Sequence, residues 1–263
     1  MTSGRLTVLV ENTARGRGIL AEHGLSFWLE WSGRRILFDT GQSDLFLRNA
    51  GIMGVNPGDA DMIILSHGHF DHGNGLGHLG GGRLICHPGC FSARFRKHDH
   101  TYIGLKYTSD ELSARFSLQT SDGPFTIAEN IIFLGGIPRL TDFESISTPF
   151  ALDNGIPDYI ADDSAIALLM KEGLFVITGC GHSGIVNTLE HARKASGQEQ
   201  IFGIMGGFHL KEVNSQTTET INYLRKNKVK HIIPSHCTEL PALSAFYEAF
   251  RIKQVRTGDV MNF

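Results

Sequence analysis

Six consecutive residues, His67-Gly68-His69-Phe70-Asp71-His72, bring three imidazoles and a carboxylate together. Borderline nitrogen and oxygen donors at that density suit a divalent transition ion. Gly68 lets the backbone fold tightly enough for His67 and His69 to converge on one ion. An ion so held lowers the pKa of its water towards about 7 and polarises the oxygen under attack, which is the chemistry of metal-assisted hydrolysis. Asp71 orients that water or takes its proton if it is not itself a ligand. The competing reading is a polar loop whose histidines only hydrogen-bond. Asp71 and the glycine-rich exit Gly73-Asn74-Gly75 argue against it.

These side chains need rigid elements behind them. The run 61–66 is apolar and too short for a helix, so it reads as a buried strand with the cluster at its C-terminal edge. Further along, strands at 174–178, 201–205 and 231–234 each end in a polar tip with a histidine, His182, His209 and His236, and each is followed by a helical stretch. Such a repeated β-then-α rhythm puts the tips on one edge of a sheet, which a shared site requires. Strands are also expected at 6–11, 25–31, 35–38, 83–86, 131–134, 164–170 and 254–260. Helices are expected at 185–192, 215–226 and 243–250, with Ser43 capping one at 45–50.

Two stretches lack clean periodicity. The segment 88–124 carries Arg94, Arg96, Lys97, His98, His100, Tyr102 and Tyr107 and reads as a basic, aromatic lid laid over a site. The turn-rich stretch 139–162 reads as a second irregular loop. Arg139 at its start has the planar fork that meets a carboxylate or phosphate, although an ordinary surface ion pair is the alternative.

Composition narrows the classes. With 24 basic and 27 acidic residues the net charge is -3, without the basic excess that tracking a nucleic-acid backbone needs. No apolar run approaches membrane-span length and residues 1–11 lack a secretion signal, so the expected address is cytoplasmic, with no membrane partner. Cys86, Cys90, Cys180 and Cys237 form no Cys-x-x-Cys pair and are expected as reduced thiols. A single domain over 1–263 is expected, and a homo-oligomer stays open.

The pattern His-x-His-x-Asp-His after an apolar strand resembles the signature of the metallo-β-lactamase superfamily. Further stretches carry the resemblance: Leu37-Phe38-Asp39-Thr40-Gly41, Gly136-Ile137-Pro138-Arg139 with Phe143-Glu144, Thr178-Gly179-Cys180-Gly181-His182-Ser183-Gly184, Gly206-Gly207-Phe208-His209-Leu210 and Pro234-Ser235-His236-Cys237. They look like the branch of metal-dependent hydrolases labelled 7,8-dihydropterin-6-yl-methyl-4-(β-D-ribofuranosyl)aminobenzene 5'-phosphate synthase. That resemblance implies an α/β fold, an αββα sandwich of two mixed sheets with outer helices. It implies His67, His69 and His182 on one metal and Asp71, His72 and His236 on another, with Asp39 bracing the loop. His209 is then a substrate-side acid or an alternative ligand.

One departure stands out. Many members carry an aspartate where this chain has Gly179-Cys180-Gly181-His182, so either Cys180 is a soft ligand or His182 reaches in; Asp162 and Asp163 read equally as a further carboxylate source or as turn or strand-cap residues. The implied cofactor is one or two divalent ions, zinc first, with manganese or iron as alternatives. The implied function is hydrolysis of a phosphoester or pterin-related phosphorylated substrate, a small anion, by metal-bound hydroxide. The alternatives are a synthase that forms a C–N bond with loss of pyrophosphate, and a metal-holding sensor without turnover. An oxygen-reducing di-iron role is disfavoured, because His69 stands where that branch has a carboxylate.

Overall fold

A computed structural model describes residues 4–263; residues 1–3, the start of the stretch read for a leader, lie outside the described residues. In chain order the elements begin with β1 (Gly4–Val10), β2 (Ser26–Trp31), β3 (Arg34–Phe38), α1 (Leu45–Met53), β4 (Met62–Ile64), α2 (Phe70–Gly73), β5 (Arg83–Cys86) and β6 (Arg94–Arg96). They continue with α3 (Ser109–Ser113), β7 (Ser117–Thr120), β8 (Phe125–Ala128), β9 (Ile131–Phe133), β10 (Phe150–Leu152), β11 (Ala165–Met170) and β12 (Gly173–Thr178). Last come α4 (Ile185–Ser196), β13 (Ile201–Gly207), α5 (Ser215–Lys226), β14 (His231–Ser235), α6 (Leu240–Phe250) and β15 (Val260–Asn262).

The chain divides into two compact units. The first comprises the residues up to Asp122 with Pro149–Asp158 and Val255–Phe263; the second comprises Gly123–Thr148 and Tyr159–Gln254. In the first, a seven-stranded sheet runs β15-β1-β2-β3-β4-β5-β7. Its first strands are an antiparallel meander, whereas β3, β4, β5 and β7 are parallel. Parallel strands are covered on both faces, which is why Met62-Ile63-Ile64 reads as one apolar run and is wholly buried. The crossover from β3 to β4 carries α1, whose Phe46 and Ala50 enter the core of this unit. The N-cap position of α1 is Asp44 and not the expected Ser43, whose hydroxyl accepts the Leu45 N–H at 3.1 Å from one residue further out; Gly54 in the left-handed region closes the helix.

The segment 88–124 is not the core-free lid its composition suggests. Cys90, Leu105, Leu112 and Phe116 are buried in the core, and β7 extends the main sheet. The buried apolar residues are spaced among arginines and histidines, and β7 itself is a short, largely exposed Ser-Leu-Gln-Thr run, so neither shows a periodicity. Outside the main sheet, β6 pairs with β10 in a separate two-stranded ribbon.

In the second unit a six-stranded sheet runs β14-β13-β12-β11-β9-β8. The hairpin of β11 and β12 is antiparallel, while β12, β13 and β14 are parallel neighbours. Their C-terminal tips therefore share one edge, as the β-then-α rhythm predicts. Ile185, Leu189 and Ala192 of α4 and Phe246 of α6 pack into the core of this unit. Helix α6 starts at Leu240, three residues ahead of expectation, because Pro241 sits in its first turn where no N–H is needed. The expected strand at 254–260 shrinks to β15. Before it, Gly258 takes φ +98 and the Thr257 hydroxyl accepts the Glu11 N–H at 2.7 Å, which leaves no extended run.

Candidate functional site

In the first unit the site begins with two parallel strand ends. Asp39 follows β3 and Ser66 follows β4, so the Asp39 carboxylate reaches across the ladder to accept the Ser66 N–H at 2.8 Å and its hydroxyl at 2.7 Å. His72 Nδ1 lies 2.7 Å from the same carboxylate, and Asp39, Ser66, His67 and His72 have no exposed surface. A carboxylate only accepts, so His72 Nδ1 carries a proton, and in the neutral ring the lone pair is then on Nε2. The Ser66 hydroxyl proton goes to Asp39, so at 2.9 Å it can only accept from His67 Nδ1. His67 too is left presenting an Nε2 lone pair. That nitrogen lies 2.9 Å from His69 Nδ1, and the His67 and His72 rings are 4.2 Å apart.

One buried aspartate thus fixes the tautomer of two imidazoles from behind, the arrangement that second-shell carboxylates impose on metal-binding histidines. Asp71 stands at the rim, 3.2 Å from His23 Nε2 and 3.8 Å from His72 Nε2. Three inward imidazoles and a carboxylate fit a divalent transition ion in donor type and number. The Gly68 requirement is a close approach and not a tight turn: a Cβ there would fall 1.9 Å from the Cys90 carbonyl oxygen. The ribbon closes one side, with the Phe150 ring 5.1 Å from that of His69.

In the second unit β12, β13 and β14 deliver Cys180 and His182, His209, and His236 and Cys237. His209 and His236 both adopt left-handed backbone, φ 48 and 52, which non-glycine residues rarely do. The His182 and His209 rings lie 4.3 Å apart. Burial would raise the Cys237 thiol, but the Cys180 side chain and the His209 and His236 imidazoles outweigh it and hold that thiol well below its usual range. Asp163 plays the bracing part here, accepting the Ser183 N–H at 2.7 Å just beyond His182. That contact gives Asp163 a positioning role beside His182.

The Arg139 loop is clasped to the start of α4. Glu144 accepts the N–H groups of Val186 and Asn187 at 2.9 and 2.8 Å, and the Asn187 side-chain oxygen accepts those of Leu140 and Thr141. Arg139 itself is exposed, with Nε 3.0 Å from the Ser145 hydroxyl and Nη2 on the Tyr159 carbonyl. Arg94, expected in the basic lid, is buried in the first unit with Nε 3.3 Å from Asp158, so it braces the ribbon and does not offer an anion contact.

Burial pushes the Asp163 carboxyl up to about 6, against the pull of the Ser183 hydrogen bonds and Arg139, with Asp162 adding to the rise. A folded-state value above the ordinary 3.8 means that the folded chain holds the extra proton between about pH 4 and 6. The stabilisation is complete below about pH 4 and disappears as pH rises through 6, a change on the order of 3 kcal/mol. Asp163→Asn is expected to flatten that limb in urea unfolding series; an unaltered slope would count against it.

Sequence reasoning assigned no role to His23, Glu144 or Asn187, and it marked Cys237 only as a thiol beside His236 in a motif stretch. Glu144 lies in a motif stretch quoted above but looks like an ordinary surface acid, and Asn187, three residues beyond the stretch that ends at Gly184, looks like an ordinary helix polar residue. His23 sits in an irregular segment with no signal.

Comparison with known proteins matches this description. Residues 21–82 match the model of the Metallo-beta-lactamase superfamily, a span that holds Asp39 and the His67–His72 cluster. A Methanocaldococcus jannaschii protein named 7,8-dihydropterin-6-methyl-4-(beta-D-ribofuranosyl)-aminobenzene-5'-phosphate synthase is 32% identical over 270 residues, covering 92% of this chain and 90% of its own. Protein MJ0448 of the same organism, described as uncharacterized, is 35% identical over 247 residues, covering 91% and 92%. Among solved structures, Tm1679, titled a metal-dependent hydrolase of the beta-lactamase superfamily, superposes with a TM-score of 0.85 at 28% identity over 98% of both chains. The chain belongs to the metallo-β-lactamase superfamily and has its α/β fold of mixed sheets and helices. Within it, the similarity extends over nearly the full length of the Methanocaldococcus synthase. No described helix is long and apolar enough to cross a membrane.

Proposed function

We propose that the chain is a metal-dependent hydrolase that cleaves a phosphoester in a small anionic, pterin-related substrate. The observation that carries this is the Asp39 clasp, which turns His67 and His72 into lone-pair donors beside His69. We assign His67, His69 and His182 to one metal and Asp71, His72 and His236 to a second where two are bound, with zinc first among the candidates. When bound, the metal supplies a Lewis acid and an acidified water at neutral pH.

The chain's own groups do the rest. With a single metal bound, where Asp71 is not itself a ligand, its carboxylate would orient the attacking water and receive its proton, with His23 Nε2 3.2 Å away. His209, partly buried at a strand tip, donates a proton to the leaving oxygen. Arg139, with two of its nitrogens anchored, turns its exposed fork to the substrate anion. Family membership supports the metal, and the name of the synthase supports a phosphorylated dihydropterin-type ligand. A cytoplasmic address belongs to the same reading.

A synthase is the second reading, and the 32% identity across 92% of the chain favours it. Pyrophosphate and phosphate release from a phosphorylated ribosyl or pterin substrate, measured with and without an aromatic amine, separates the two. Release that needs no amine is expected of the hydrolase; strict amine dependence would establish the synthase instead. Tight binding with no product from any phosphoester would leave only a metal-holding sensor.

A further inference from the structure

The second unit gathers two thiols and three imidazoles at the ends of β12, β13 and β14. Cys180, His236 and Cys237 can each offer one donor atom such that all three lie within 4.8 Å of one another, and Cys180, His182 and His209 do the same. Around a tetrahedral ion, bonds of about 2.3 Å to sulfur and 2.1 Å to nitrogen put neighbouring donors roughly 3.5–3.8 Å apart. Small side-chain rotations cover that difference. Adjacent residues on a strand point to opposite faces, but His236 is in the left-handed region, which breaks the alternation and lets His236 and Cys237 serve one cluster. Gly207 leaves the room: a Cβ there would come within 2.6 Å of Cys237 Sγ. Cys86 and Cys90, by contrast, are buried in the apolar core of the first unit.

We infer that Cys180 and Cys237 are both metal ligands, so that the ion held at this sheet edge has sulfur in its coordination shell. Thiolate donors select a thiophilic ion of the zinc class over manganese or magnesium. This rests on the metal dependence proposed above and adds the donor atoms that set metal choice. Each thiol loses its proton to solvent as the sulfur–metal bond forms, with no change of oxidation state.

Cobalt(II) titrated into the full chain under reducing conditions reads this directly. A near-ultraviolet sulfur-to-cobalt charge-transfer band is expected in the wild type, about halved by Cys237→Ser or Cys180→Ser, absent from the double variant and unchanged by Cys86→Ser. Because a substitution at a buried thiol can disturb folding, the wild type is also labelled with a thiol reagent, and zinc is expected to slow modification of Cys180 and Cys237 but not of Cys86. Cobalt bound without the sulfur band, or zinc that protects neither thiol, overturns thiol ligation while metal dependence stands. No cobalt uptake at all overturns both.

Discussion

Replacing His67 and His69 together by alanine is expected to abolish metal uptake and phosphoester turnover in parallel. The two rings present donor nitrogens 2.9 Å apart, and His67 is held in its donor tautomer by Ser66 and Asp39. Loss of a single contact behind a ligand typically costs ~10–100-fold in affinity or activity, so loss of two ligands should exceed about a thousandfold. The Asp39–His72 clasp stays intact in this variant, so circular dichroism and unfolding should report a folded chain. Turnover at the wild-type rate in a double variant shown to contain no metal would refute the metal mechanism.

Asp39 carries the second large effect. Its carboxylate serves the Ser66 N–H, the Ser66 hydroxyl and His72 Nδ1, all without solvent exposure. Asp39→Ala strands those donors and should cost on the order of 3–5 kcal/mol of stability. It also puts alanine at φ 56, where asparagine is far better tolerated. Asp39→Asn therefore keeps the backbone and one acceptor while removing the charge. Its stability loss should be smaller, with metal affinity still falling ~10–100-fold because His72 is no longer held to one tautomer. Denaturant unfolding and competition titration with a chelating dye measure the two quantities. Wild-type metal affinity in Asp39→Asn would remove the orienting role assigned to this residue.

Much of this was legible before any coordinates. The regular crossovers announced themselves because the parallel strands β4, β12 and β13 are buried on both faces and so appear as short apolar runs between polar tips. The His67–His72 cluster was legible for a different reason: ligand chemistry is concentrated within six residues. What stayed hidden depends on partners distant in sequence. Glu144 meets Val186 across 42 positions, and Asp163 meets Ser183 across 20, so neither carboxylate signals its role locally. Arg94 was misread because a buried ion pair and a solvated basic loop have the same local composition. The β7 strand was missed because its Ser-Leu-Gln-Thr sequence is largely exposed and polar, with pairing to β5 supplying the order.

The sharpest test is element-resolved anomalous diffraction from crystals of the metal-loaded protein. The expected map has at least one transition ion, zinc first, within bonding distance of His67, His69 and His182. An ion bound by none of these imidazoles, or fully active crystals with no transition-metal signal, would contradict the shared metal centre proposed for this chain.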